Sequence, residues 1–241
     1  MIKRSPSLTD QVRNNVKSRI LANEFEDDRI PSETDLADEL GVSRTTIRDA
    51  LGRLEIEGVI YRKQGAGTFV NRPGLRIKSP LEEIWSYEAL LEAHGYTPSI
   101  KVLSQEIITA SGGLAAELEL ETGDQLLEVE KLFLEDREPV ILARNLIPLR
   151  FLETSYQEQD LKAPIFDFLA LFGGQHLSYY LSELAPVMAD ESLRKRLRLS
   201  GAAALVSMEE VGYNELNEPI LKAYSYFRDD LLRLRLIRRK L

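Results

Sequence analysis

Helical spacing of hydrophobic residues is the first pattern along the chain. Within residues 8–22, Val12, Val16, Ile20 and Leu21 fall on one side of a helical projection, and the charged residues fall elsewhere. The spacing predicts an amphipathic helix whose inner face these four side chains form.

Serine and glycine delimit two further predicted helices. Ser32 is a natural N-cap with Asp35 three residues later, and Gly41 suits the left-handed residue that ends a helix. Ser43 then caps a third helix. The inner face of that helix consists of Ile47, Leu51 and Leu54. The pattern predicts a helix, a three-residue turn and a helix.

A glycine-containing hairpin follows the third helix. Residues 59–63 and 68–72 have the composition of two short strands, and the segment from Gln64 to Gly67 suits the tight turn between them. Pro73 and Gly74 then interrupt the pattern. We therefore predict a first domain over residues 1–72, a linker over 73–79 and a second domain over 80–241.

The second domain reads as an α+β fold with a mostly antiparallel sheet, because strand-like and helical stretches alternate without a βαβ pattern. A helix is predicted near residues 81–94. The strand-like runs are 99–109, 125–134, 139–147, 176–188, 203–213, 219–228 and 231–238. The helical insertions are 111–119, 161–171 and 190–198.

Charge is distributed unevenly between the two segments. The 241 residues carry a net charge of -8, but residues 1–78 hold 14 basic against 12 acidic side chains, so the acidity belongs to the second domain. The overall charge therefore says little about a basic face on the first domain. No apolar run is long enough for a membrane span and the first residues do not resemble a signal peptide, so a cytoplasmic protein without membrane contact is expected.

The scarcity of reactive side chains restricts the chemistry. The chain has no cysteine and two histidines, which excludes disulfides, thiol catalysis, iron–sulfur clusters and cysteine-ligated zinc. We also find no paired-carboxylate or nucleophile–base motif. No catalytic residue, metal site or cofactor is therefore expected.

The start of the third helix carries the strongest functional signal. Ser43, Arg44, Thr45, Thr46 and Arg48 place a cap, two guanidinium groups and two hydroxyls at one helix end. Such a helix fits the DNA major groove, where arginine binds guanine and threonine contacts phosphate or a thymine methyl group. A solvated helix start with incidental charge is the alternative, and the preceding turn and following hairpin argue against it.

The hairpin has its own reason to contact DNA. Gly65 and Gly67 lack side chains, which lets the backbone approach the narrow minor groove, while Arg62, Lys63 and Gln64 are placed to meet phosphates. Glycine-containing hairpins are common, so this signal is weak by itself.

Residues 30–70 as a whole resemble the winged helix-turn-helix of the GntR family of bacterial transcription regulators. The resemblance implies that the residues named on the third helix occupy recognition positions and that the two glycines form the wing tip. The family usually has arginine after Pro-Ser-Glu, where this chain has Thr34. The corresponding DNA contact is then either missing or supplied by Arg29.

The second domain more loosely resembles the effector-binding domain of the HutC subfamily, called UTRA, which is related in fold to chorismate lyase. The cues are Thr122-Gly123-Asp124, Glu138-Pro139 and Asn217-Glu218-Pro219, followed by Phe227-Arg228. Many members of that subfamily bind phosphorylated sugars or small carboxylates.

The resemblance also implies where a ligand would bind. A basic-x-basic pair of the sugar-phosphate binders corresponds to Lys131 and Phe133, and Ser86 matches a position that contacts the anionic end of the effector. Polar positions of those binders correspond here to Ala143, Pro164 and Leu221. We therefore expect one modest anion site, Ser86 with Lys131, and apolar walls that favour a carboxylate or weakly anionic ligand over a sugar phosphate.

The remaining candidates for that pocket have alternatives. The candidate wall residues are Tyr87, Phe133, Phe166 and Phe227. Each of these aromatic side chains could equally be ordinary core. Glu183 either binds a hydroxyl or amine of the ligand or faces solvent on an alternating strand.

These patterns predict a ligand-responsive transcription regulator and not an enzyme. We expect a repressor that binds a palindromic operator in double-stranded DNA as a homodimer. A small anionic metabolite is expected to release it from the operator, or to change the spacing of its two DNA-binding domains through the linker. Two alternatives stay open: a dimeric DNA-binding protein without a ligand, and an enzyme domain of lyase-like fold tethered to DNA.

Overall fold

Two compact units make up the chain. The computed structural model describes residues 7–76, 81, 83–152, 155–228, 230–232 and 234. The first unit ends at Glu83 and the second begins at Ile84. The predicted linker precedes this division: Gly74–Arg76 forms a 3-10 turn, and Leu75 packs against the core of the first unit. Residues 77–80 lie outside the described part.

The first unit is a three-helix bundle with a small antiparallel sheet. Its elements are α1 (Leu8–Leu21), β1 (Arg29–Ile30), α2 (Glu33–Leu40), α3 (Arg44–Ile56), β2 (Ile60–Lys63) and β3 (Gly67–Val70). The sheet order is β1-β3-β2. The predicted caps are confirmed, because Ser32 and Asp35 form a capping box and Gly41 ends α2 with φ of +65°. The two-residue strand β1 was not predicted.

The core of the first unit contains the inner faces of all three helices. Val16, Ile20, Ile47 and Leu51 are buried as predicted. The expectation that Leu21 faces inward is wrong, because its side chain is 63% exposed. Consecutive residues of a helix point about 100° apart, so Leu21 cannot share the direction of Ile20.

The second unit is built on a six-stranded antiparallel sheet. Its strands are β4 (Pro98–Thr109), β5 (Gln125–Glu135), β6 (Glu138–Pro148), β7 (Leu177–Met188), β8 (Ala204–Asn214) and β9 (Pro219–Arg228). The order β4-β5-β6-β9-β8-β7 leaves β4 and β7 at the edges. The described residues of this unit form four α-helices beside the sheet: α4 (Tyr87–Ala93), α5 (Gly112–Glu117), α6 (Ile165–Gly173) and α7 (Glu191–Leu197). The α+β class is therefore confirmed.

Two predicted elements of this unit differ from the structure. The helix expected from residue 81 begins only at Tyr87, because Ser86 has extended backbone and caps it. The strand expected over 231–238 is absent at Leu231, Leu232 and Leu234, and Leu232 is instead buried against the core beside α4. The other residues of that stretch lie outside the described part.

Helices cover both faces of the sheet. We call the face that carries Leu127, Val129, Lys131 and Phe133 of β5 the inner face, and the opposite one the outer face, since side chains alternate along a strand. On the inner face, Leu90 and Leu91 of α4 pack against one apolar cluster, and Phe168 and Leu169 of α6 pack against another. On the outer face, α5 and α7 pack against two further clusters. No described helix is long and apolar enough to cross a membrane.

Candidate DNA interface and effector site

The N-terminal turn of α3 presents the predicted recognition residues. The Ser43 Oγ accepts a hydrogen bond from the Thr46 N–H at 3.1 Å and lies 2.8 Å from the Thr46 Oγ1, so these two hydroxyls close the helix start. Arg44, Thr45 and Arg48 are exposed, whereas Thr46 is half-buried. Three of the predicted side chains are thus freely presented, and Thr46 also has a capping role.

The two arginines of this turn have different surroundings. Arg44 forms no ion pair with another described residue. The Arg48 Nε lies 3.4 Å from Oε2 of Glu33 on α2, although 58% of the Arg48 side chain is exposed. Arg44 can therefore bind DNA without losing a protein partner. Arg48 is oriented by the Glu33 carboxylate, so to bind DNA it must either keep this ion pair beside the DNA contact or break it.

The turn of the hairpin exposes the predicted wing residues. The Ala66 N–H donates to the Lys63 carbonyl at 2.9 Å and closes the turn. Gly65 and Gly67 have φ of +75° and +118°, in the left-handed region that favours glycine. Lys63 and Gln64 are exposed beside them. The wing is therefore a tight, side-chain-poor tip next to one lysine.

Two further arginines near the wing differ in their roles: Arg62 has a structural role, and Arg29 is available to DNA. Arg62, expected at a phosphate, pairs with Glu55 of α3 at 3.4 Å, so it joins the hairpin to the helix. Arg29 of β1 is exposed, and its Nε would lie 3.6 Å from a Cβ added to Gly67. The pairing of β1 with β3 thus brings Arg29 to the wing, which sequence spacing alone could not reveal.

Buried polar residues form a band on the inner face of the second unit, between the cluster under α4 and the cluster under α6. The strand register places Lys131 opposite Ala143 and Ser225, and it places Asn145 opposite Ala223 and, beyond it, Glu210. The four buried polar residues that we call the inner polar band are Lys131, Asn145, Ser225 and Glu210. Buried polar groups require hydrogen-bond partners, which protein groups or a bound molecule can supply.

Lys131 occupies one end of the inner polar band. Its side chain is 2% exposed and its Nζ donates to the Ala163 carbonyl at 2.6 Å. Burial lowers the pKa of Lys131 to about 8, and the nearby Glu88 opposes this shift. Ala163 precedes Pro164, the N-cap of α6, which makes no side-chain capping hydrogen bond. The ammonium group therefore contacts the chain two residues before α6 begins, and both an ammonium group and a helix N-terminus favour an anion.

The start of α4 supplies the other predicted contacts. The Ser86 Oγ accepts from the Ala89 N–H at 3.1 Å, so this hydroxyl caps the helix. The Tyr87 hydroxyl is hydrogen-bonded to that of Ser225, and its ring packs edge-on against Phe133 and Phe227, at centroid distances of 5.1 and 5.6 Å. Both phenylalanines are buried beneath Tyr87. Tyr87 is thus the aromatic residue that links α4 to the inner polar band.

Two predicted effector residues are not brought to this group. Glu183 is exposed, and it stands opposite Glu209 in the register of β7 and β8. The strand alternation therefore places it on the outer face. Its neighbour Ser182 faces inward instead, which corrects the expectation for Glu183. Phe166 is half-buried in the first turn of α6 and belongs to neither apolar cluster of the inner face.

The sequence reasoning missed Glu210, Ser225 and Asn145. Glu210 is 8% exposed, and its Oε1 accepts from the Ser182 hydroxyl at 2.6 Å. Burial raises the pKa of Glu210. Glu209 and Glu210 are adjacent in the sequence, and only the strand register reveals which of them faces inward.

Comparison with known proteins agrees with this architecture. Residues 8–70 match the bacterial regulatory proteins of the gntR family, and residues 93–233 match the UTRA domain. The HTH-type transcriptional repressor NagR of Bacillus subtilis (strain 168) is 26% identical over 221 residues, which cover 91% of this chain and 90% of NagR.

Two solved structures share the fold. The possible transcriptional regulator YydK from Bacillus subtilis superposes with a TM-score of 0.78 at 15% identity, covering 97% of this chain and all of YydK. PhnF from Mycobacterium smegmatis superposes with a TM-score of 0.61 at 21% identity, covering 95% of this chain and 99% of PhnF. The chain therefore belongs to the GntR family of bacterial regulatory proteins with a UTRA domain, and it is a ligand-responsive DNA-binding transcription regulator rather than an enzyme.

Proposed function

We propose that the protein is a repressor that binds a palindromic operator as a homodimer and leaves it when a small anionic metabolite binds the second unit. The observation that carries the DNA-binding part is the exposure of Arg44 and Arg48 at the start of α3, together with the exposure of Arg29 and Lys63 at the wing. Repression is supported by the similarity to NagR, which is named a repressor. The protein would act in the cytoplasm, on the bacterial chromosome.

The DNA contacts follow from the chemistry of the exposed groups. Arg44 and Arg48 are suited to guanine in the major groove, and Thr45 to a phosphate or a thymine methyl group. The tip formed by Gly65 and Gly67 suits the minor groove, where a guanidinium such as that of Arg29 is favoured by the negative potential. Arg29 would thereby replace the family arginine that is absent at Thr34.

Dimerisation follows from the small footprint of one recognition helix. A single helix reads only a few base pairs, so useful specificity requires two half-sites about one helical turn apart. The second unit is large enough to provide the contact between protomers. Effector binding would change the spacing of the two DNA-binding units of the dimer through the segment at 73–79.

The ligand class follows from Lys131, the one buried cation among the described residues of the inner face. Lys131 and the N-terminus of α6 together suit one carboxylate, whereas a dianionic phosphate usually recruits an arginine fork as well. Ala143, Pro164 and Leu221 offer no side-chain hydrogen bonds to sugar hydroxyls, and a buried unpaired hydroxyl costs about 1 to 3 kcal/mol. A carboxylate is therefore favoured over a sugar phosphate.

The DNA-binding part can be tested without knowing the operator. Selection of duplexes from a random pool should yield an inverted repeat, and fluorescence anisotropy at fixed salt should show that Arg44→Ala weakens binding by about 1 to 3 kcal/mol. Arg53→Ala is the matched control, since it removes the same charge from the other half of α3, where Arg53 pairs with Asp10 of α1. Equal losses in the two variants, or selected sequences without a repeat, would contradict the proposal.

A further inference from the structure

We propose that Glu210 is the second end of the effector site and selects ligands that carry a protonated amine opposite their anionic group. This inference rests on the proposed function, in which Lys131 holds the anion. It specifies a class of ligand: an elongated molecule with a carboxylate at one end and an ammonium group at the other.

The surroundings of Glu210 set it apart from the other glutamates of the sheet. It is buried, it accepts one hydrogen bond from Ser182, and it forms no ion pair with a cation among the described residues. Its neighbour Glu209, on the outer face, is paired with Lys222. A carboxylate has about four lone-pair sites, and a buried carboxylate without a cation is costly. An ammonium group supplies both the charge and the hydrogen-bond donors.

The side chains beside Glu210 provide no competing charge. Tyr87 and Tyr180 lie close to Glu210, and burial raises the pKa of both hydroxyls, so both are neutral. Ser182 is exposed on the edge strand β7, which brings the Glu210 end of the band close to solvent. The carboxylate is therefore buried among neutral groups, and its hydrogen-bond donor Ser182 is exposed at the sheet edge.

The strand register sets the length of the ligand. Lys131 is on β5 and Glu210 is on β8, three strand spacings away, or about 14 Å between the strand axes. The residues between them on the inner face include Ala143, Ala223 and Ser225, which have small side chains. An α-amino acid has its amine and carboxylate on one carbon and cannot span this separation, so the two groups must be several bonds apart.

The test uses four simple probes of equal chain length on the full-length protein. Calorimetric titration should show that 6-aminohexanoate binds about tenfold or more tightly than hexanoate, as expected for one added charge-assisted hydrogen bond. Hexylamine should raise the thermal midpoint more than hexan-1-ol does. Glu210→Gln should abolish both preferences. Glu183→Gln, which removes the same charge from the outer face, should retain both preferences.

The outcomes separate this inference from the proposed function. Equal binding of 6-aminohexanoate and hexanoate, or an equal response to hexylamine in the unmodified protein and Glu210→Gln, would overturn the role of Glu210. Hexanoate binding that Lys131→Met does not weaken would instead overturn the anion site, while the hexylamine comparison would still report on Glu210. The comparison of hexylamine with hexan-1-ol uses the unmodified protein, so it does not depend on the folding of any variant.

Discussion

Replacing Lys131 by methionine should stabilise the protein near neutral pH. The side chain is 2% exposed and its ammonium group has one carbonyl acceptor, that of Ala163, among the described residues. Methionine has a similar length and requires no hydrogen bond, so it removes the cost of a buried charge without leaving a large cavity.

The size of the effect follows from the pKa of Lys131, which burial lowers from 10.5 to about 8. Each tenfold change in proton affinity is worth about 1.4 kcal/mol, so the charged lysine destabilises the folded state by about 3 kcal/mol below pH 8. The unfolded chain binds this proton more tightly than the folded one. The penalty therefore stays constant as the pH falls below about 8, and it shrinks as the pH rises from about 8 towards 10.5.

Urea unfolding of the unmodified protein and Lys131→Met at about pH 7 and about pH 9.5 measures this difference. The stability advantage of the variant should fall by about 2 kcal/mol between the two pH values and stay level between about pH 6 and 7. The comparison between the proteins cancels the other groups that titrate in this range. An advantage that does not change with pH would refute the assignment of a desolvated, charged Lys131.

Three other predictions concern the DNA interface, the dimer and the ligand. Arg48→Ala should weaken operator binding by less than Arg44→Ala in anisotropy at fixed salt, because Arg48 gives up a Glu33 ion pair worth about 0.2 to 1 kcal/mol; a larger loss for Arg48 would contradict this. Residues 80–241 alone should sediment as a dimer at tens of micromolar, and a monomer would move the protomer contact elsewhere. Glucosamine 6-phosphate should show no micromolar binding in calorimetry. Tight binding that Lys131→Ala abolishes would show that this chain binds a sugar phosphate, as many members of its subfamily do.

Local signals predicted most of the fold. Ser32, Gly41 and Ser43 sit where the structure has helix ends, since capping depends on the chemistry of a few neighbouring residues. Strand β1 could not be predicted, because Arg29 and Ile30 are too few to show alternation and pair with residues almost forty positions later. The position of Arg29 at the wing was unpredictable for the same reason.

The effector site was predicted in part, and strand register accounts for the rest. The family resemblance assigned Lys131 and Phe133 to one site, and residues two apart on a strand do share a face. Glu183 was proposed and Glu210 missed, because the choice between two faces depends on which residues of β7, β8 and β9 stand opposite each other. Ser86 stays a predicted ligand contact, and the structure adds that its hydroxyl oxygen caps α4.

The hydrogen bond between Tyr87 and Ser225 would couple binding of the proposed ligand to the docking of a helix. Tyr87 is the first residue of α4, the first helix of the second unit along the chain after the segment that leads from the DNA-binding unit. A ligand that competes for the Ser225 hydroxyl would weaken the contact that holds α4 to the sheet. Each 1.4 kcal/mol of difference in its affinity for the docked and undocked states would change their ratio about tenfold. The strength of induction would then be set by this one contact, and Tyr87→Phe would alter how much effector is needed without altering the residues that read DNA.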